Sequence, residues 1–300
     1  MINKTIFSIY YKGSRTMFFS SLFFPKKIRN DVFICYAFVR RADDLVDKLP
    51  LNPKGFYDFK NRYERAKQGE ITDDIVIDSF VDLESRRGFD LNWTKAFLNS
   101  MEMDLTKKTY NTLEELLQYV YGAAEVMGLY MINVLGISED AYPYARYLGR
   151  AMQCINALRD IAEDITLGRS YIPIEDLNKQ GLEKLDYNYV KQHPKEFSEL
   201  IGTHINRFCY WLRSAEKGYH YLPKRYLISI KTAMDMYQWT AEQIIKNPFI
   251  VYEWKIKPLI SQIFLKVFLN LINPSVNNKR ELHCSYNKLE LPQIVRSLKI

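Results

Sequence analysis

The sequence predicts an all-α fold, and three observations carry the prediction. Apolar residues recur at three- and four-residue spacings through most of the chain, which is the period of one helix face. Glycine is scarce, 12 in 300 residues. No regular series of short alternating segments bounded by turn signals is present, as a sheet protein would need. With 47% hydrophobic and 14% aromatic residues, the chain can bury a large core. It contains no Pro/Gly/Ser-rich linker, so the expected organisation is one domain over residues 1–273 and a polar tail over 274–300 with one weak helix.

The elements follow from local signals. Residues 1–12 read as a short helix or ordered tail, and Gly13-Ser14-Arg15-Thr16 as a polar break. The apolar segment 17–24 ends at Pro25, and Asn30-Asp31 offers an N-cap for the next helix. That helix stops near Pro50, because proline disfavours helix in the residue before it. Residues 54–69 and 73–86 read as two more helices, and Asp90 or Asn92 can cap another that runs to about Asp104. Thr112 with Glu115 forms a capping box. The helix that follows, to about Leu135, keeps Gly122 and Gly128. Internal glycine costs about 1 kcal/mol against alanine, so close helix packing or room for a ligand is expected. One long helix over 139–166 follows, broken by Gly168-Arg169-Ser170-Tyr171-Ile172-Pro173. Residues 174–193 are mixed. Helices 194–220 and 223–246 open at prolines. Pro258 opens the last one, to Asn273, whose apolar pattern fits either a core helix or one lying at a membrane surface.

The charge of +7 comes from basic residues spread along the chain. Without a dense basic patch, no nucleic-acid partner is expected; anionic substrates or membranes suit it better. Cys35, Cys154, Cys209 and Cys284 lack CxxC pairing. They read as free thiols in a reducing, cytoplasmic setting, not as zinc ligands or disulfides. No clean signal peptide and no uninterrupted membrane span is evident.

The chemistry sits in two acidic stretches. In the first, 36–47, Tyr36, Arg40, Asp43 and Asp47 are 4, 3 and 4 residues apart and so share one helical stripe; Asp44 falls off it. In the second, Gln153, Asn156, Asp160 and Asp164 are 3, 4 and 4 apart among apolar neighbours. Such stripes are costly unless paired or metal-bound. One reading is a set of interhelical ion pairs with Arg40, Arg41 and Arg159. The other is a two-sided metal clamp. Oxygen-only ligands favour Mg2+, with Mn2+ as an alternative, over zinc. Aspartates repel a diphosphate unless metal lies between them, and Arg40, Arg159 and Arg169 could add direct bonds. Departure of a diphosphate, leaving an allylic cation in an aromatic-walled pocket, fits this set. Gln118, Tyr121 and Glu125 suggest a third stripe, with core packing as the alternative for any single tyrosine.

These stretches, together with Ser14-Arg-Thr-Met-Phe18, Met101-Glu-Met-Asp-Leu105, Tyr119-Val-Tyr-Gly122 and the 168–173 segment, resemble the squalene/phytoene synthase family, in its order and spacing, over about residues 10–260. The resemblance implies the isoprenoid synthase fold, a helical bundle around a central cavity. It also implies head-to-head condensation of two prenyl diphosphates through a cyclopropylcarbinyl diphosphate. Mapped onto this chain, it implies Asp43, Asp47, Asp160 and Asp164 as Mg2+ ligands. Ser14, Arg40, Gln153, Asn156 and Arg159 would line the diphosphate sites. Tyr36, Tyr121 and Tyr237 would face the reaction cavity, and Asp104 carries no clear role. The Met101–Leu105 and 168–173 stretches favour two geranylgeranyl diphosphates giving phytoene. Coupling of farnesyl diphosphate to squalene, dehydrosqualene or presqualene diphosphate is the near alternative, with NADPH needed only for squalene. A terpene cyclase is a further enzyme alternative, and a non-catalytic helical membrane-associated protein is the alternative of another class. Two departures stand out. Relatives often read A-G-T-V-G where this chain has Ala124-Glu125-Val126-Met127-Gly128, so Glu125 is expected to narrow the tunnel or alter the final quench. Trp254 stands where relatives often place arginine, which leaves one diphosphate contact unassigned. Oligomeric state is not legible in the sequence.

Overall fold

A computed structural model describes residues 3–272, and all regular structure among them is helical. Three helices open the chain: α1 (Lys4–Gly13), α2 (Arg15–Ser21) and α3 (Lys26–Asp47). Next come α4 (Pro53–Lys67), α5 (Ile75–Arg87) and α6 (Leu91–Thr106), capped by Asn52, Asp74 and Asp90. α3 starts earlier than the Asn30-Asp31 signal suggested. Asp31 is buried inside it and binds Arg86 at 3.2 Å and Arg87 at 2.5 Å, both on α5. A buried charge needs such partners, so here the residue pins two helices instead of capping one.

The 112–135 stretch is α7 (Leu113–Val120), a π-helical segment (Tyr121–Glu125) and α8 (Val126–Leu135). Thr112 caps α7 through the Glu115 amide, as read from the sequence. Both internal glycines mark close packing. A Cβ on Gly122 would overlap the Ala96 carbonyl of α6, and one on Gly128 would overlap the Ala145 carbonyl. The expected single helix over 139–166 is divided at Asp160, whose backbone leaves helical geometry at φ −101° and ψ 13°. This gives α9 (Tyr142–Arg159) and α10 (Ile161–Thr166). Short helices α11 (Ile174–Lys179) and α12 (Tyr187–Val190) follow, then the long α13 (Pro194–Glu216) and α14 (Lys224–Lys246). The last two are α15 (Ile250–Glu253) and α16 (Ile260–Ile272).

Two apolar clusters organise these helices. One gathers side chains of α1, α3, α4, α5, α6 and α8, with Phe38 stacked on Phe80 at 3.8 Å. The other gathers α7, α9 and α13 with parts of α11 and α14. Ala123 of the π segment packs against both. α13 lies along α9, and α14 packs on α2, α9 and α16. Cys35, Cys154 and Cys209 are buried free thiols, as expected, and Cys284 lies outside the described residues. So do Asn273 and the expected 274–300 tail. No described helix is long and apolar enough to cross a membrane.

Candidate active site

Between the two clusters lies a cavity of about 1200 Å³, above the usual range of small-molecule pockets. α3 contributes Tyr36, Val39 and Arg40; α8 contributes Met127 and Met131; α9 contributes Met152, Gln153, Asn156 and Arg159; α14 contributes Met234 and Tyr237. Ser14 joins them from the α1–α2 junction, where it also caps α2 by accepting the Met17 amide. Seven of the residues singled out in the sequence therefore share one cavity: Ser14, Tyr36, Arg40, Gln153, Asn156, Arg159 and Tyr237. Gly13 makes room for one of them, since a Cβ there would stand 2.6 Å from the Tyr36 hydroxyl. The Tyr36 ring lies 4.2 Å from that of Tyr10, and burial raises its hydroxyl pKa.

The acidic residues stand just outside this lining, each tied to a cation. Arg40 binds Asp43 at 3.0 Å and Asp44 at 2.7 Å. Arg159 holds Asp160 in a two-bond fork of 2.8 and 2.5 Å. Arg169 joins the two acidic helix ends, binding Asp47 of α3 and, at 3.3 Å, Asp164 of α10. Arg41 turns away to Asp74. Arg40 and Arg159 are therefore ion-paired, but to carboxylates one to four positions along the chain and not between helices, as the alternative reading expected. They leave a crowded set of carboxylates even so. Burial, then the neighbouring Asp47 charge, pushes Asp43 up to about 7. Asp104 and Asp164 are likewise raised to about 7, burial being the main cause and Arg169 opposing it. Burial of a carboxyl disfavours its charged form and so raises its pKa.

Several expectations need correction. Tyr121 is not among the cavity residues; its ring faces Arg146 at 5.1 Å. The third stripe does not form: Gln118 is exposed on α7, and the wider π turn shifts the register between Tyr121 and the buried Glu125. Glu125 does not narrow the cavity. It is fully buried and paired with Arg146 at 2.7 Å and with Arg150, while Ala123 and Ala124 reach the lining. Arg169 does not line the cavity either, so its cation is committed to aspartates. Trp254 is 62% exposed, and the next residue, Lys255, enters the lining instead. Lys255 pairs with Glu163 and stands 3.6 Å from Asp160.

Sequence reasoning missed the network behind Arg169. Asp104 is buried and accepts hydrogen bonds from Tyr171 at 2.5 Å and Tyr119 at 3.0 Å. The signal was present in the Met101–Leu105, Tyr119–Gly122 and 168–173 stretches. Nothing in their linear order shows that they converge.

Comparison with known proteins shows the family and the fold. Residues 11–262 match the family model described as squalene/phytoene synthase. The chloroplastic phytoene synthase of Daucus carota is 28% identical over 263 residues, covering 83% of this chain and 66% of that protein. The 15-cis-phytoene synthase of Synechocystis sp. is 28% identical over 261 residues, covering 80% of this chain and 75% of that protein. In fold, the chain is similar to squalene synthase HpnC from Alicyclobacillus acidocaldarius, with a TM-score of 0.72 at 21% identity over 81% of this chain and 93% of that one. The match spans most of the cavity-forming helices, and the chain belongs to the squalene/phytoene synthase family.

Proposed function

We propose that this chain condenses two prenyl diphosphates head to head, and that two geranylgeranyl diphosphates giving phytoene are its substrates and product. The observation that carries the reading is the cavity itself. One large apolar space is lined by seven of the residues singled out in the sequence and ends beside both acidic motifs. The relatives named phytoene synthase support the choice of product.

The residues fit a divalent cation of the magnesium type. The donors beside the cavity are carboxylate oxygens, and two of them, on Asp43 and Asp164, are raised to about 7 chiefly by burial. Among the described residues, no three or more His, Cys, Asp or Glu side chains converge on one point. Mg2+ keeps water and is bound through one or two carboxylates and substrate phosphates. In this reading Asp43 and Asp47 hold it on one side, and Asp160 and Asp164 on the other. When bound, it supplies the Lewis-acid charge that lets a diphosphate leave.

The chain's own groups do the rest. Arg40 and Arg159 exchange part of their carboxylate bonding for diphosphate oxygens. Lys255, in the lining next to Asp160, supplies the cation that Trp254 does not. Ser14, Gln153 and Asn156 orient the same groups by hydrogen bonding. Met127, Met131, Met152 and Met234 pack against the prenyl chains and exclude water. One substrate ionises, and the double bond of the other attacks the allylic cation. Loss of a proton gives the cyclopropylcarbinyl diphosphate, which ionises again, rearranges and is quenched. The ring faces of Tyr36 and Tyr237 stabilise the cations.

The product suggests a further contact. On α16 only Ile263, Val267 and Asn270 are buried, while Phe264, Leu265, Phe268, Leu271 and Ile272 are exposed. The core reading of this helix holds for a narrow stripe only. Residues 255–261, which lead into its first turn, line the cavity, so a surface-lying α16 would open the cavity toward a bilayer. Asp43→Asn and Asp160→Asn test the site. Both variants should lose turnover while keeping helix content by circular dichroism; active variants would sink the metal-site reading.

A further inference from the structure

The acidic ends of α3 and α10 face each other, yet among the described residues no direct hydrogen bond or ion pair joins these two helices. Their connection runs through Arg169. The turn after α10 puts this side chain between them. Gly168 takes the left-handed conformation at φ 67°, and the Ser170 amide is pinned to the Lys108 carbonyl at 2.8 Å. Arg169 is 7% exposed. Its Nη2 donates to Asp47 Oδ1, its Nη1 reaches the Val46 carbonyl at 3.5 Å, and its Nε donates to Asp164 Oδ1 at 3.3 Å. In each aspartate the same single oxygen is used, so Oδ2 is left for another partner.

The guanidinium is itself braced from behind. Its carbon lies 5.2 Å from the Tyr171 ring centre, and Nη1 is 3.8 Å from Asp104. Asp104 is in turn fixed by the Tyr171 and Tyr119 hydroxyls, one on each oxygen. An arginine held on three sides is a rigid fork, where a lysine would be a single movable charge.

We propose that Arg169, braced by Asp104, Tyr119 and Tyr171, is a positioning residue that sets the spacing at which Asp47 and Asp164 present their second oxygens to a divalent cation and diphosphate. The inference rests on the metal-site reading above. It also gives Asp104 a role.

The test uses the full chain and binding alone. Mn2+ with inorganic pyrophosphate is titrated and free Mn2+ is followed by electron paramagnetic resonance. Outer residues that orient metal ligands are worth about 10–100-fold in affinity. Arg169→Gln and Arg169→Lys should therefore both bind about tenfold more weakly or worse than the parent. Equal loss in the charge-keeping and charge-removing variants marks geometry as the cause. Tyr171→Phe keeps the ring under the guanidinium and removes one hydrogen bond to Asp104. It should bind about threefold more weakly with an unchanged far-ultraviolet spectrum, and it tests the brace even if the Arg169 variants fail to fold. An Arg169→Lys chain that binds like the parent, an Arg169→Gln chain that binds more tightly, or a Tyr171→Phe chain with unaltered affinity would overturn the proposal. A parent chain that binds no Mn2+ with pyrophosphate would overturn the metal-site reading itself.

Discussion

Glu125 allows a stability effect to be worked from the structure. It is 0% exposed, stands on the π segment, and accepts hydrogen bonds from Arg146 at 2.7 Å and from Arg150, both on α9. Arg150 is 5% exposed, and Glu125 is its only carboxylate partner among the described residues. Glu125→Ala therefore leaves a buried guanidinium without a counter-charge. Removing one partner of a buried pair costs about 3–5 kcal/mol. Unfolding entropy of about 2.1 cal/mol/K per residue gives about 0.6 kcal/mol/K for this 300-residue chain. The expected drop in melting temperature is thus about 5–8 °C, read by calorimetry or circular dichroism. Adding Arg150→Met should return a good part of the loss, since apolar replacement of buried charge is often near neutral. A Glu125→Ala chain that melts within about 1 °C of the parent would refute the reasoning. So would a double variant less stable than Glu125→Ala alone.

Two further outcomes follow from the same structure. Asp43, Asp104 and Asp164 sit near 7 in the folded chain against about 3.9 when unfolded, so between those values the folded state binds more protons. In metal-free buffer its stability should therefore fall as pH rises from about 4 to 7, and a melting temperature that climbs over that range would contradict the assignment. The exposed face of α16 should bind vesicles containing anionic lipid in a flotation assay, and Leu265→Asp with Phe268→Asp should abolish the binding while leaving the melting temperature near that of the parent; equal flotation of both chains would rule the face out.

Much of the site was legible because it is local. Tyr36, Arg40, Asp43 and Asp47 share one helix stripe, and so do Gln153, Asn156 and Asp160. A periodicity of 3.6 residues therefore foretold which side chains turn together. The features that escaped are set by contacts between distant segments. In the π segment at Tyr121–Glu125, Gly122 lies tight against the Ala96 carbonyl and Gly149 against that of Ala124, and the Tyr121 ring is turned to Arg146, 25 positions later. Asp31 looked like a helix cap because its partners, Arg86 and Arg87, lie more than fifty positions away. Arg169 looked like a free cation for the same reason. Only the fold shows Asp47, 122 positions earlier, already bound to it.

The central claim is tested most directly by supplying the purified full chain with Mg2+ and geranylgeranyl or farnesyl diphosphate, with and without NADPH, and identifying the products by mass spectrometry. The account predicts phytoene from geranylgeranyl diphosphate, without NADPH, and a cyclopropylcarbinyl diphosphate when the reaction is stopped early. A C30 hydrocarbon from farnesyl diphosphate alone would contradict the substrate assignment. No coupled product under any condition would contradict the account as a whole.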